Sequence, residues 1–203
     1  SKVKLVFPQK GEKQRLVVMA EANARLVLEE MLLQKRKYQE KVPASAVSLQ
    51  QVLKLDKPPL TISCFDISNL GQTDKAASLV YFEKGKPKKS EYRHFKIKTV
   101  EGQDDFACMG EVITRYVGRR IEEGKPLPDL MMVDGGKGQL MVAEEVLDAH
   151  GRGDQPLIGL AKRLEEVYVP HQGAPVNIPK TSAAINLLKR VRDEAHRFAI
   201  TYH

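Results

Sequence analysis

Apolar positions along the chain change their period near residue 60, and the elements on either side differ in kind. Residues 3–7 (VKLVF) alternate apolar with basic and end at Pro8, which predicts a short edge strand. Over residues 13–40, Leu16, Ala20, Val27 and Met31 recur at helical spacing beside Val17, Ala24 and Leu28, predicting one long helix. Pro43 ends it. Residues 44–59 form a connector with a helical piece at 49–53, closed by Pro58-Pro59. Two segments follow: residues 1–59, with the strand, long helix and connector packing on the main domain, and residues 60–203.

From residue 60 the pattern is mixed α/β. Residues 60–68 (LTISCFDIS), 75–85 and 90–98 predict three strands in an antiparallel meander. A helix is expected over 104–123, with Asp104 near its N-cap and Gly124 beyond its end. A buried strand over 128–136 (PDLMMVDGG), a helix over 137–151 and a strand over 156–162 come next. A small hairpin over 165–179 and a helix over 181–198, capped at Thr181 or Ser182, complete the order. A meander followed by alternating helices and strands gives a mixed sheet, partly antiparallel and partly parallel, flanked by helices.

Composition narrows the class of protein. With 42% hydrophobic and 29% charged residues in a chain of 203, a packed core is expected rather than disorder. No apolar stretch is long enough to span a bilayer, and the N-terminus lacks a signal-peptide layout, so a cytoplasmic setting without membrane attachment is expected. Cys64 and Cys108 sit in no CxxC pair, which argues against a disulfide framework or zinc ribbon. The chain starts without Met and stops inside an apolar pattern, so a portion of a longer chain is expected. A net charge of +7, with basic runs at 84–89 and 189–197, favours a polyanionic partner, although solvated surfaces explain such runs equally well.

Two acids stand out. Strict alternation places Ile62, Cys64 and Asp66 on one side of the first main strand. A carboxylate there is costly unless something pairs with it, and a metal ion would; the alternative is an Asp opening the turn of DISNLG. Asp134 repeats the situation, ending LMMVD directly before GGKGQ, where α/β sheets place their ligands. Gly135 and Gly136 let the backbone approach a phosphate, the next helix offers N–H groups, and Lys137 adds a charge. Oxygen ligands with few other donors suit Mg²⁺ or Mn²⁺. On the last helix His196 borders the stripe Ala184, Leu188, Val191, Ala195 and Phe198, in line with Arg192; its neighbours Asp193 and Glu194 are runner-up acids, Asp193 one turn back on the same face. Asp104 and Asp105 are explained by helix capping, and Tyr92, Arg93 and Lys96 either contact nucleic acid or simply alternate on an exposed face.

The segments CFDISNLG (64–71), SEYRHFKI (90–97), DDFACM (104–109), PDLMMVDGGKGQL (128–140), PLIGLAKR (156–163) and RDEAHRFAITYH (192–203) occur in that order. Together they resemble the C-terminal half of the UvrC family, which incises DNA in bacterial nucleotide excision repair; residues 8–24 are similar to its lead-in segment. The resemblance implies an RNase H-like fold, in keeping with the order of elements, and a metal-dependent endonuclease that cuts on the 5′ side of a lesion. It implies a catalytic and metal-binding set of Asp66, Asp134 and His196, the choice of His196 over Asp193 resting on the family alone. Lys137, Gly135, Gly136, Arg93, Arg192 and Arg197 are the expected DNA or phosphate contacts. Implied partners are damaged double-stranded DNA and a UvrB-type damage-loading subunit, in the bacterial cytoplasm and at the nucleoid during repair. The family's N-terminal GIY-YIG nuclease domain and tandem helix-hairpin-helix region lie outside this sequence, and Asn69 stands where many relatives have His. The alternatives are another RNase H-like nuclease resembling endonuclease V, or a non-catalytic DNA- or partner-binding module.

Overall fold

Thr61–Leu70 (β1) is the strand around which the others are arranged. The structure, a computed structural model, describes residues 8–40, 42–70, 74–100, 104–162 and 165–201. The strand expected over residues 3–7 lies outside them. The other elements are helices α1 (Glu12–Glu40) and α2 (Ala44–Leu53), strands β2 (Asp74–Glu83), β3 (Lys86–Pro87) and β4 (Arg93–Lys96), and helix α3 (Asp105–Glu122). Then come β5 (Leu130–Val133), α4 (Lys137–Ala149), β6 (Leu157–Ala161), β7 (Glu166–Tyr168) and α5 (Ala183–Ile200). Among the described residues the sheet runs β3-β2-β1-β5-β6-β7, and β4 also pairs with β2. β1, β2 and β4 form the antiparallel meander, whereas β1-β5 and β5-β6 are parallel. This is the mixed sheet that the sequence predicts.

Two differences concern the loops. The third strand is shorter than 90–98: Lys84 and Gly85 both take positive φ (50° and 72°) and turn the chain into the brief pairing of β3. Pro87 has no N–H to extend that ladder, and the chain passes through a single 3-10 turn (Lys89–Glu91) before β4 begins. The hairpin expected over 165–179 is reduced to one bridge, Val167 to Val176, on the edge of β7 opposite to β6.

Both faces of the sheet are covered. Ile62, Cys64, Leu130, Met132, Ile158 and Leu160 pack under α5 (Ala184, Leu188, Val191, Ala195) and α2 (Leu49). Phe65, Leu79, Met131 and Val133 pack under α3 (Met109, Val112, Ile113, Tyr116) and α4 (Leu140, Ala143, Leu147). Burial on both sides explains why β5 reads as the unbroken run LMMV. Asp104 and Ser182 cap α3 and α5, accepting from Ala107 N (2.9 Å) and Ile185 N (3.3 Å). The chain divides into compact units between Val42 and Pro43, which groups α2 with the α/β unit through Leu49. Among the described residues no helix is long and apolar enough to cross a membrane.

Two local devices set the central strands. Asp129 ties the start of β5 to that of β1: its Oδ2 accepts from Leu60 N (3.1 Å), Thr61 N (2.9 Å) and Thr61 Oγ1 (2.8 Å), while Lys57 Nζ lies 2.7 Å from Oδ1. Gly159 of β6 lies beneath the turn after β5, where an added Cβ would stand 2.9 Å from Gly135 O and 3.3 Å from Leu140 Cβ.

Each device yields a prediction. Burial raises the proton affinity of Asp129, but Lys57 and Thr61 outweigh it and hold the carboxyl below its ordinary value. A depressed folded pKa contributes stability above the unfolded value of about 4 and loses it as pH falls through the folded one. Asp129→Ala should therefore cost about 1–3 kcal/mol at pH 7. That gap should narrow below about pH 4 in urea unfolding; a gap independent of pH would remove the carboxylate from this role. Gly159→Ala should lose about 1–3 kcal/mol by overpacking against the Gly135 turn. Gly173→Ala, with nothing within 4 Å of the added Cβ, is the control and should melt like the parent.

Candidate active site

The parallel pairing of β1 with β5 ends at Phe65 and Val133, and the Asp134 N–H donates to Phe65 O at 2.9 Å. The next residues on the two strands are Asp66 and Asp134. Both continue the face of Cys64 and Met132 that looks toward α5, so the two carboxylates lie side by side. β1 does not stop there: its antiparallel ladder with β2 continues through Asp66–Ser78 to Leu70–Asp74. Asp66 is thus a strand residue at the point where β5 departs, and not the opening of a turn.

α5 lies over this pair. Ser78, the cross-strand partner of Asp66, donates its hydroxyl to Ala195 O at 3.1 Å. The following residue, His196, brings Nδ1 to 3.4 Å from Asp66 Oδ2. Past the end of β6, Lys162 Nζ stands 3.3 Å from Asp134 Oδ2. The acids are almost fully buried (2% and 5% exposed), whereas the His196 and Lys162 side chains are more than half exposed and can meet an incoming molecule.

Burial dominates the electrostatics. It raises the pKa of Asp66 against the opposing charges of Lys162 and His196. It likewise raises that of Asp134, where the neighbouring Asp66 adds to the rise while Lys162 and Arg192 oppose it. The Cys64 thiol beneath them is pushed up by burial and by both acids. Despite the ion-pair contacts, Asp66 Oδ2 and both oxygens of Asp134 accept no hydrogen bond. Buried carboxylate oxygens are seldom left so, because desolvation is then uncompensated.

Those three oxygens fit a hard divalent cation, which is often held by only one or two protein carboxylates with water and substrate oxygens completing its shell. Among the described residues no three His, Cys, Asp or Glu side chains are gathered closely enough to hold a metal between them. The donor set is therefore the two acids, with His196 in contact with one of them.

The remaining predicted contacts fall in different places. Gly135 and Gly136 form the turn into α4, and Gly136 caps that helix without a side-chain bond. Lys137 is turned away, donating to the Gly173 carbonyl and lying 5.3 Å from the centre of the Tyr168 ring. Arg192 is mostly buried, pairs with Asp193 (2.8 Å) and is near enough to lower the proton affinity of Asp134. Arg197 is held by Glu194 (2.6 Å), and Arg93 donates to the carbonyls of Ser90 and Tyr92. The side chain of Asn69 lies outside the described residues. Lys162 is the residue that sequence reasoning missed. Its signal was the one that found Asp134, a charged side chain directly after a buried parallel strand.

The family model described as the UvrC RNAse H endonuclease domain matches residues 50–200. The UvrABC system protein C of Chlorobaculum tepidum is 52% identical over 204 residues, covering 99% of this chain and 32% of that protein. That of Porphyromonas gingivalis is 45% identical, over 97% of this chain and 33% of the relative. The chain thus spans about a third of the length of the curated relatives it matches. Among solved structures, endonuclease V of Ciona intestinalis in complex with an inosine-containing 24mer DNA aligns with a TM-score of 0.39 and 17% identity, over 84% of this chain and 69% of that one. Endonuclease V of Bacillus subtilis gives 0.39 and 12%, over 70% and 82%. On the match across residues 50–200 and the identity along nearly its whole length, the chain belongs to the UvrC RNase H endonuclease domain family.

Proposed function

We propose that this chain is a metal-dependent DNA endonuclease module that hydrolyses a phosphodiester on the 5′ side of a lesion during bacterial nucleotide excision repair. It would act within a longer protein that a UvrB-type subunit loads onto damage. The observation that carries the reading is the pair of buried carboxylates on adjacent strands, where the parallel pairing of β1 and β5 ends, with three oxygens lacking hydrogen bonds and the exposed Lys162 and His196 side chains beside them.

In this reading Asp66 and Asp134 hold Mg²⁺ or Mn²⁺. Bound there, the ion supplies Lewis acidity toward a phosphate oxygen and lowers the pKa of water. The protein's own groups do the rest. Lys162 offers its ammonium to a non-bridging phosphate oxygen and, in doing so, exchanges one anionic partner for another. His196, oriented through Asp66, holds or moves a proton at its exposed imidazole edge. Asp66 retains the imidazole by its negative charge, the relation that orients histidines in many hydrolytic sites. The positive excess of the chain draws the polyanion toward the site.

Nicking of supercoiled plasmid with Mn²⁺ or Mg²⁺ is the direct test. Asp66→Ala and Asp134→Ala should fall to background, and His196→Ala should slow the reaction about 10²–10⁴-fold, the usual contribution of a proton-transfer group. Cutting that survives in both acid variants would reject this site, and a parent without nicking, even at low salt, would favour a binding module. A second measurement needs no turnover. Removing one of two buried, repelling carboxylates should raise the melting temperature of metal-free Asp134→Asn, by about 2–4 °C for each kcal/mol relieved. Mn²⁺ should raise the melting temperature of the parent but not of that variant. Equal metal stabilisation of both proteins would place the cation elsewhere.

A further inference from the structure

On α5, Lys189, Arg192 and His196 follow one another at i, i+3 and i+7, so they line one edge of the helix beside its buried stripe. Contacts identify that edge. His196 meets Asp66, and Lys189 Nζ lies 2.5 Å from Oε2 of Glu165, the residue before β7. Lys162, which follows β6, is the residue that meets Asp134. Arg192 lies along the same edge and lowers the proton affinity of Asp134 and of Glu165 alike, so its guanidinium is close to both. Its Nε and Nη2 donate to Asp193 Oδ1 (3.0 and 2.8 Å), leaving Nη1 for a second acceptor. The row therefore begins at the candidate active site and runs away from it. Seven residues of helix, at about 1.5 Å each, separate His196 from Lys189 by about 10 Å.

Glu165 is the unusual member of this group. It is a non-glycine residue in the left-handed region, with φ 56°. Its hydrogen bond to Lys189 comes first among the causes that hold its carboxyl below the ordinary value, and the charges of Lys189, Arg192 and Lys180 add to it against burial. Three cations thus act on one carboxylate. A phosphodiester offers them the same chemistry, a single negative charge on oxygens that accept from ammonium and guanidinium groups. Successive phosphates of one strand rise by about 3.4 Å along a duplex, so a row of about 10 Å reaches past the phosphate at the acids to a neighbour. We propose that Lys189 and Arg192 form a positioning site for a backbone phosphate beside the one to be cut, and that the Glu165 carboxylate holds the place of that phosphate in the free protein. The identity of the polymer rests on the nuclease reading; the exchange of Glu165 for an incoming phosphate is the added statement.

The test uses the 203-residue chain in metal-free buffer, so that nothing is cut, with a fluorescent duplex read by anisotropy across a salt series. Glu165→Gln removes the competing charge and should tighten binding about 2- to 5-fold at low salt, the size of one partly exposed ion pair given up. Glu122→Gln, on α3 across the sheet, reports net charge alone and should bind like the parent, since distant charge is screened. Lys189→Ala should weaken binding and lower the slope of log affinity against log salt by about 1, and Lys189→Arg should keep both. In a Lys189→Ala background, Glu165→Gln should gain nothing. With Mn²⁺, one neutral methylphosphonate in a strand should suppress nicks at the bonds beside it for the parent but not for Lys189→Ala. An equal gain from Glu165→Gln with and without Lys189, a gain no larger than that of Glu122→Gln, an unchanged salt slope in a folded Lys189→Ala, or suppression that Lys189→Ala shares would each overturn the inference while leaving the nuclease reading in place. A parent that binds but does not nick would refute the nuclease reading and leave the binding cycle to decide whether Lys189 exchanges Glu165 for a phosphate. No DNA binding by the parent at low salt would overturn both.

Discussion

Two carboxylates forced together in a sheet interior repel each other and are both cut off from water, and neither backbone is free to relieve them. The parallel register of β1 and β5 is set by buried side chains on both faces, and it continues through the Asp134 N–H bond to Phe65 O. Asp66 and Asp134 cannot move apart without breaking that register. What remains is compensation by positive charge. Lys162 supplies it to Asp134 from the end of β6 and Arg192 from a largely buried position, while the His196 imidazole meets Asp66 from α5. The raised proton affinities of both acids mark this compensation as incomplete.

The same constraint gives α5 its importance. An imidazole must be brought to Asp66 by a helix that could otherwise slide over an apolar face. Specific contacts prevent this. The Ser78 hydroxyl bonds Ala195 O, the His94 ring stacks on Phe198 at 3.8 Å between centroids, and Tyr92 meets Phe198 edge-on at 5.0 Å while its hydroxyl donates to Glu194. His94, Ser78 and Asp66 occupy neighbouring strands in one register, so the row that seats α5 also contains the acid that its histidine serves. Packing and chemistry here share the same residues.

Much of this was legible beforehand, for physical reasons that differ by residue. Asp134 was readable because a charge that ends a fully apolar run is rare and because Gly135-Gly136 follow it. Asp66 was readable by alternation, but its surroundings were not: that β1 continues past it depends on pairing with β2, a non-local fact. Helical spacing gives both His196 and Asp193 a place beside the apolar stripe and cannot tell which one the seating of α5 brings to Asp66: His196 meets it, whereas Asp193 pairs with Arg192. Lys162 follows the same strand-end rule as Asp134, yet a lysine after a strand is common on any surface, and its meaning comes from standing 3.3 Å from Asp134. The shortened β4 turned on turn geometry, to which hydrophobic periodicity is blind, and nothing in the apolar pattern marked the return after β7 as a single bridge.

Charge elsewhere on the domain behaves differently, and the contrast sharpens the case for the site. Arg119 is matched by Glu123, Arg197 by Glu194 and Lys88 by Glu83. Exposed pairs of this kind are worth about 0–1 kcal/mol each and give up little when rearranged. They leave a modest positive excess whose reach is limited to about 8 Å by physiological salt. Such a field brings a polyanion near but does not hold any one phosphate. The contacts among Lys162, His196 and the two acids are of another kind, because the acids are buried and their charges are poorly screened. An arriving phosphate and cation would add opposite charges there together, so each improves the place of the other, and the strongest electrostatic stabilisation is confined to the state in which both are present.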